Sequence, residues 1–143
     1  SNKSEFAVGY STMYGDSVGA ISVIGDVYKT DVYSLAKLIN FEQTIIPNNI
    51  ITKPPSAELR PDQKDTDSLP DYDILDKILF NYIEKQMSES EIVDLGFDAD
   101  VVKKIIRLVN GSEYKRLQAP PILRVSSKAF GFGRRLPIVS KLD

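Results

Sequence analysis

The sequence predicts a mostly α-helical chain with few strands. Three observations carry that expectation. Apolar residues recur at three- and four-residue spacing in several windows, capping residues stand just ahead of those windows, and alternating strand-like patterns are scarce.

The first window, "SNKSEFAVGYSTMYGD", offers Ser1, Asn2 or Ser4 as caps, with Glu5 in the first turn, where a carboxylate complements the helix dipole. Phe6, Ala7, Tyr10 and Met13 or Tyr14 share one face, so the spacing predicts a helix to about Tyr14, stopped by Gly15. Ser17 to Tyr28 is rich in small and β-branched residues, with Gly19 and Gly25 as punctuation, and reads as loop with at most a short extended piece. "KTDVYSLAKLINF" predicts a helix capped by Thr30 with Val32, Leu35, Ala36 and Ile39 inward. In "TIIPNNIIT", Pro47-Asn48-Asn49 predicts a turn.

Ser68 and Asp71 stand at capping-box spacing ahead of Ile74, Leu75, Ile78, Leu79, Tyr82 and Ile83, the strongest helical repeat in the chain. "SESEIVDLGF" predicts a short helix from Ser88 and Glu91 to a stop at Gly96. Asp98 caps a further helix with Val101, Val102, Ile105, Ile106 and Val109 inward, broken or kinked at Gly111. The tail from Gln118, dense in prolines and glycines, is expected to be a surface segment with one helical turn at most.

A length of 143 residues suits one domain, and 42% hydrophobic with 27% charged residues is ordinary for a globular protein. With 18 basic against 20 acidic residues, non-specific nucleic-acid binding has no electrostatic support. No apolar run reaches the roughly 20 residues of a membrane span, and the N-terminus lacks a signal-peptide core. The expectation is a soluble, cytoplasmic protein with no nucleic-acid or membrane partner. Cysteine and histidine are both absent, which excludes disulfides, thiol nucleophiles, zinc-thiolate sites and a Ser-His-Asp hydrolase. What stays open is chemistry on charged substrates with a metal managing the charge, as in nucleotide-dependent reactions.

Neither glycine-rich nucleotide fingerprint is present, and "GFG" at Gly131 to Gly133 lacks the strand and helix of a phosphate cradle. Glu5 reads either as a helix-start carboxylate or as a magnesium ligand, a hard oxygen donor used alongside phosphates. Lys29 is either a solvated lysine or a phosphate contact at a helix amino end. Tyr114, Lys115 and Arg116 together read as surface decoration. Lys53 to Asp73 holds four prolines and six acidic residues, and is either a linker or a lid over about positions 53–71. Ser56, Arg60 and Lys64 would suit a phosphate ligand, and Asp62, Asp65 and Asp67 a metal.

Five stretches, "NKSEFAVGYSTMYGD", "DVYKTDVY", "KPPSAELRPDQKDTDSLPDYD", "EYKRLQAPPILRV" and "FGFGRRLPIV", resemble in order the C-terminal part of bacterial glutamine-dependent NAD synthetases. The resemblance implies an α/β adenine-nucleotide α-hydrolase-like fold and a carbon-nitrogen ligase. The nicotinate carboxylate of deamido-NAD is adenylated by ATP with Mg²⁺, and ammonia derived from glutamine displaces AMP. It also implies a homodimer, with deamido-NAD near the subunit interface. On this resemblance Glu5 serves magnesium and deamido-NAD, Tyr10, Ser11, Thr12 and Met13 line the dinucleotide, and Lys115 contacts it. Lys29 and Ser56 contact ATP, and Asp16 matches the aspartate of a "YGD" motif. No catalytic residue is implied within the chain.

Three departures accompany the resemblance. Ala20 stands where ammonia-dependent relatives carry an aspartate, and the pyrophosphate loop and the glutaminase domain are missing. The chain is therefore expected to be the C-terminal portion of a longer synthetase, inactive alone because half of its ATP site is absent. The alternative is a non-catalytic helical structural or dimerisation module.

Overall fold

The computed structural model describes residues 1–56, 65 and 68–139. Among these, helices α1 (Lys3–Val8), α2 (Lys29–Ile39), α3 (Asn48–Thr52), α4 (Tyr72–Ile83), α5 (Glu89–Asp94), α6 (Ala99–Gly111) and α7 (Glu113–Arg116) follow in order. Extended pairing among the described residues is limited to two isolated bridges, Ser22 with Ile122 and Phe130 with Arg134. The expectation of a mostly helical chain is borne out.

Helix α4 packs against α1, α2, α5 and α6 and organises the core. Leu75, Ile78, Leu79 and Ile83 are buried along it, with Phe6, Ala7 and Val8 from α1, Ile92 from α5, and Val102, Ile105 and Val109 from α6. Each side chain of that size removed from water contributes about 1.5–3 kcal/mol before entropy is counted. Local capping holds where it was expected: Ser88 and Glu91 form a reciprocal capping box on α5, and Asp98 accepts from the Val101 N–H on α6. Gly111 does end α6.

Several expectations are corrected. The first helix stops at Val8, not near Tyr14, because Gly9 takes a left-handed conformation, φ +74°, and its N–H closes back onto the Glu5 carbonyl. A Cβ at Gly9 would also lie 2.3 Å from Ser112 Oγ, so this approach of α1 to the α6–α7 junction requires glycine. Thr30 lies inside α2; the cap position is Tyr28, which makes no side-chain cap bond. No α2 residue is buried, and Leu35 and Ile39 are 44% and 49% exposed. Of the apolar stripe of α2, Val32 and Ala36 line a cavity while Leu35 and Ile39 face outward.

The turn expected at Pro47-Asn48-Asn49 is the start of α3, with Pro47 in the cap position. At α4 the Ser68–Asp71 box does not form, Asp71 is the cap without a side-chain bond, and Ile74 is 44% exposed. The tail is not wholly superficial, since Ala129 and Phe130 are buried. Around "GFG" the chain turns back on itself through Gly131 N–H to Arg134 O and Gly133 N–H to Ala129 O. A Cβ on Gly133 would meet Lys128 Cα at 2.8 Å, so this glycine serves a close backbone turn.

Candidate functional site

Two clusters gather the residues singled out in the sequence. In the first, α1 and α2 meet at their amino ends. Lys29 Nζ lies 3.1 Å from Glu5 Oε1, both side chains being about one-fifth exposed. The other Glu5 oxygen accepts from the Asn2 N–H at 3.0 Å, while Asn2 Oδ1 accepts from the Glu5 N–H, completing a capping box that fixes the carboxylate. Lys29 Nζ also stands 5.7 Å from the Tyr33 ring centre and 5.6 Å from that of Tyr72, so the cation is held by one carboxylate and two π faces.

Lys29 and Ser56 line one cavity of about 360 Å³ between α2, α3 and the start of the proline-rich segment, walled by Val32, Ala36, Ile50 and Pro55. An apolar wall with a cation and a hydroxyl at its edge suits a planar apolar group carrying an anionic end. Of the 53–71 segment, residues 57–64, 66 and 67 lie outside the described residues, and with them Arg60, Asp62, Lys64 and Asp67. Asp65 is buried and accepts a hydrogen bond from the Tyr72 hydroxyl at 2.7 Å. Burial, and Asp65 accepting its proton, push the Tyr72 phenol well above its ordinary range, so it remains a donor. Asp65 is thereby tied through Oδ2 to one of the aromatic rings beside Lys29.

The second cluster lies at the other end of α1. Lys115 Nζ donates to the carbonyls of Gly9 at 2.6 Å and Ser11 at 3.1 Å, which places it on the segment holding Tyr10, Ser11, Thr12 and Met13. Tyr10 Oη pairs with Ser68 Oγ at 2.5 Å. Ser11 is buried, Met13 half-buried and Thr12 exposed. Asp16 accepts from the Thr12 N–H at 2.6 Å and from the Ser1 hydroxyl; these bonds overcome burial and hold its carboxyl below the ordinary range. Arg116 corrects the reading of its neighbourhood as decoration. Its guanidinium is buried against Glu113 and the carbonyls of Phe6, Ala7 and Val109, and burial lowers its pKa against the opposing pull of Glu113. Tyr114 remains 44% exposed.

Sequence reasoning missed Asp76 and Lys3. Asp76 accepts from Ser4 Oγ, Thr30 N–H and Thr30 Oγ1, joining α1 to α2, and burial pushes its carboxyl up against those bonds. Lys3 is fully buried, 2.8 Å from Asp26 and paired with Glu84. The available signal was a charge inside an apolar stripe: Asp76 interrupts Leu75, Ile78 and Leu79, and Lys3 precedes Phe6 and Ala7 by one turn.

Magnesium takes one or two carboxylates together with substrate phosphates rather than an all-protein cage. Glu5 is the carboxylate of the first cluster that would serve in that mode, its Oε1 exchanging the Lys29 ammonium for the ion. No group of three or more acidic side chains able to hold a metal gathers among the described residues.

The cavity carries Lys29, Lys53 and Ser56 among apolar residues, with Glu5 paired to Lys29 beside it, and the sequence places the chain in a family. Residues 1–119 match the NAD synthase family model, and the chain belongs to that family. It is 60% identical over 141 residues to the glutamine-dependent NAD(+) synthetase of Acinetobacter baylyi, covering 97% of this chain and 26% of that protein. The solved glutamine-dependent NAD+ synthetase of Acinetobacter baumannii, in complex with adenosine diphosphate, is similar over 97% of this chain and 24% of its own, at 47% identity and TM-score 0.50. That of Cytophaga hutchinsonii is similar over 98% of this chain and 23% of its own, at 27% identity and TM-score 0.74. The chain thus spans about a quarter of the length of the relatives it matches.

Proposed function

We infer that this chain is the C-terminal portion of the amide-forming domain of a glutamine-dependent NAD synthetase, a domain of α/β adenine-nucleotide α-hydrolase type, and supplies one side of its nucleotide sites. The observation that carries this reading is the single cavity shared by Lys29 and Ser56, with Glu5 paired to Lys29 at its edge. The ADP bound by the Acinetobacter baumannii relative supports it.

In the proposed reaction a carboxylate oxygen of deamido-NAD attacks the α-phosphorus of ATP, and pyrophosphate leaves. The nitrogen of ammonia, derived from glutamine, then attacks the acyl carbon, AMP departs with the bonding pair, and NAD is formed. Lys29 holds the nucleotide phosphates electrostatically, and Ser56 offers a hydroxyl to ATP across the cavity. Tyr10, Ser11, Thr12 and Met13, with Lys115 fixing their backbone, line deamido-NAD, which Glu5 also faces. Glu5 would hold Mg²⁺, which neutralises phosphate charge when bound. The 53–71 segment acts as a lid. The full-length protein works in the cytoplasm as a homodimer.

The exposed Leu38 and Phe41, 68% and 84%, favour a second reading for the isolated chain, a helical structural or dimerisation module without nucleotide affinity. In the full-length protein Lys29→Ala is expected to raise the KM for ATP by about tenfold or more, the loss typical of a charge-assisted contact. Unchanged ATP kinetics would remove Lys29 from the site. A thermal shift of the isolated chain with Mg-ATP or deamido-NAD separates the two readings, since only the first gives a shift.

A further inference from the structure

Helix α2 begins with N–H groups that its own sequence does not cap. Tyr28, in the cap position, makes no side-chain cap bond. The partners come from elsewhere in the fold. The Lys29 N–H donates to Ser4 Oγ at 2.9 Å, and the Thr30 N–H donates to Asp76 Oδ2 at 2.9 Å. Ser4 Oγ, having accepted from Lys29, donates its own hydrogen to Asp76 Oδ1 at 2.5 Å, and Thr30 Oγ1 donates to Asp76 Oδ2 at 2.9 Å. Asp76 is 6% exposed, so all three bonds are made in a poorly solvated place where their geometry is well defined.

The two residues that Asp76 grips are the immediate neighbours of the ion pair. Ser4 precedes Glu5 on α1, and Thr30 follows Lys29 on α2. The carboxylate is thus the rivet that sets how the amino ends of α1 and α2 approach, and with that the separation of Glu5 and Lys29. We propose that Asp76 is a positioning residue for the ATP site, acting through Lys29 by capping α2 from α4 and clamping it to α1. The role proposed for it is exerted through Lys29 and requires no contact with substrate. The proposal rests on the assignment of Lys29 to ATP.

An amide at this position puts an N–H₂ group against at least one of three donors. With the N–H₂ turned to Ser4, the Ser4 hydroxyl loses its acceptor and the bonds to Thr30 lose their charge, so the clamp on α2 is weakened. The test uses the full-length synthetase with Asp76→Asn, Lys29→Ala and the double variant, with concentrations corrected for folded enzyme. Asp76→Asn is expected to raise the KM for ATP about tenfold, while the KM for deamido-NAD changes less than about twofold. A residue that only stabilises the fold would lower the melting temperature and leave both constants alone. In the Lys29→Ala background the Asp76→Asn effect on ATP is expected to vanish, because its route is already removed.

An additive effect on ATP in the double variant overturns the proposal, as does an unchanged ATP KM in Asp76→Asn while Lys29→Ala is impaired. If Lys29→Ala itself leaves ATP kinetics unchanged, the assignment of the site fails first, and the proposal falls with it. Should Asp76→Asn not accumulate as folded protein, Thr30→Val carries the same test. It removes one donor and keeps the shape, so a smaller rise in the ATP KM that disappears with Lys29→Ala supports the proposal, and no rise overturns it.

Discussion

Lys29 and Lys115 show how the same side chain is put to different uses by its surroundings. The Lys29 ammonium is held by a carboxylate and two aromatic faces, and the residue lines a cavity. That of Lys115 is bonded to two main-chain carbonyls, and shapes the Tyr10–Met13 segment rather than standing free. Lys115→Ala in the full-length protein is therefore expected to raise the KM for deamido-NAD about tenfold and leave that for ATP nearly unchanged. Steady-state kinetics with each substrate varied in turn checks this, and a change confined to ATP would reverse the assignment of the two clusters. The identities of Glu5, Lys29, Ser56 and Lys115 as candidates were legible from motif resemblance, because the motifs keep their order along the chain. Their grouping was not, since Glu5 and Lys29 stand 24 residues apart and meet only when α1 and α2 pack.

At the scale of elements, two devices that the chain reads locally came through intact, while a third, the Ser68–Asp71 box, did not form. The Ser88–Glu91 box and the Asp98 cap involve residues three apart, whose bonds form as soon as one turn of helix forms. Expectations failed where a distant group took over. Thr30 was expected to cap its helix, yet the first N–H groups of α2 are met by Ser4 and Asp76, and the cap position falls two residues earlier, at Tyr28. Gly9 ends α1 before its apolar spacing runs out, because Ser112 leaves no room for a Cβ and φ is positive. Gly9→Ala is expected to cost at least about 1–3 kcal/mol through backbone strain alone, with the contact to Ser112 adding to it. Urea unfolding of the intact protein measures this, and a change below half a kcal/mol, on the order of a surface substitution, would contradict the account.

Across the whole molecule, one buried cation ties together segments far apart in sequence. Lys3 reaches Asp26 in the loop before α2, Glu84 at the end of α4, and Ser126 in the tail, 123 residues away. Asp26 in turn accepts from Val125 N–H, Ser126 N–H and Ser126 Oγ, and so anchors the tail that buries Phe130. Lys3→Met would leave two carboxylates facing each other without their cation, and is expected to destabilise the protein by about 3–5 kcal/mol. Burial opposes ionisation of Asp26 and Glu84, but the bonds from Lys3 and the tail serines outweigh it and hold both carboxyls below their ordinary range. Carboxyls depressed on folding contribute in full above their unfolded values, about 4, and lose that contribution as pH falls through the folded values. The gap in urea midpoint between the native protein and Lys3→Met is thus expected to narrow from pH 6 to pH 3. A gap that stays constant would show that the electrostatic contribution is not what Lys3 supplies.

By itself the sequence determined the helical character, the local caps, the apolar faces of α4 and α6, and membership of a family through ordered motifs. Each of these depends on residues within a few positions of one another, or on identity alone. Only the tertiary structure decided that α2 leaves its apolar stripe outside the core, that Asp76 and Lys3 are junctions, and that Glu5 belongs beside Lys29. These depend on which faces meet, and a bond such as that of Asp76 with Thr30, 46 residues apart, exists only once the helices have packed.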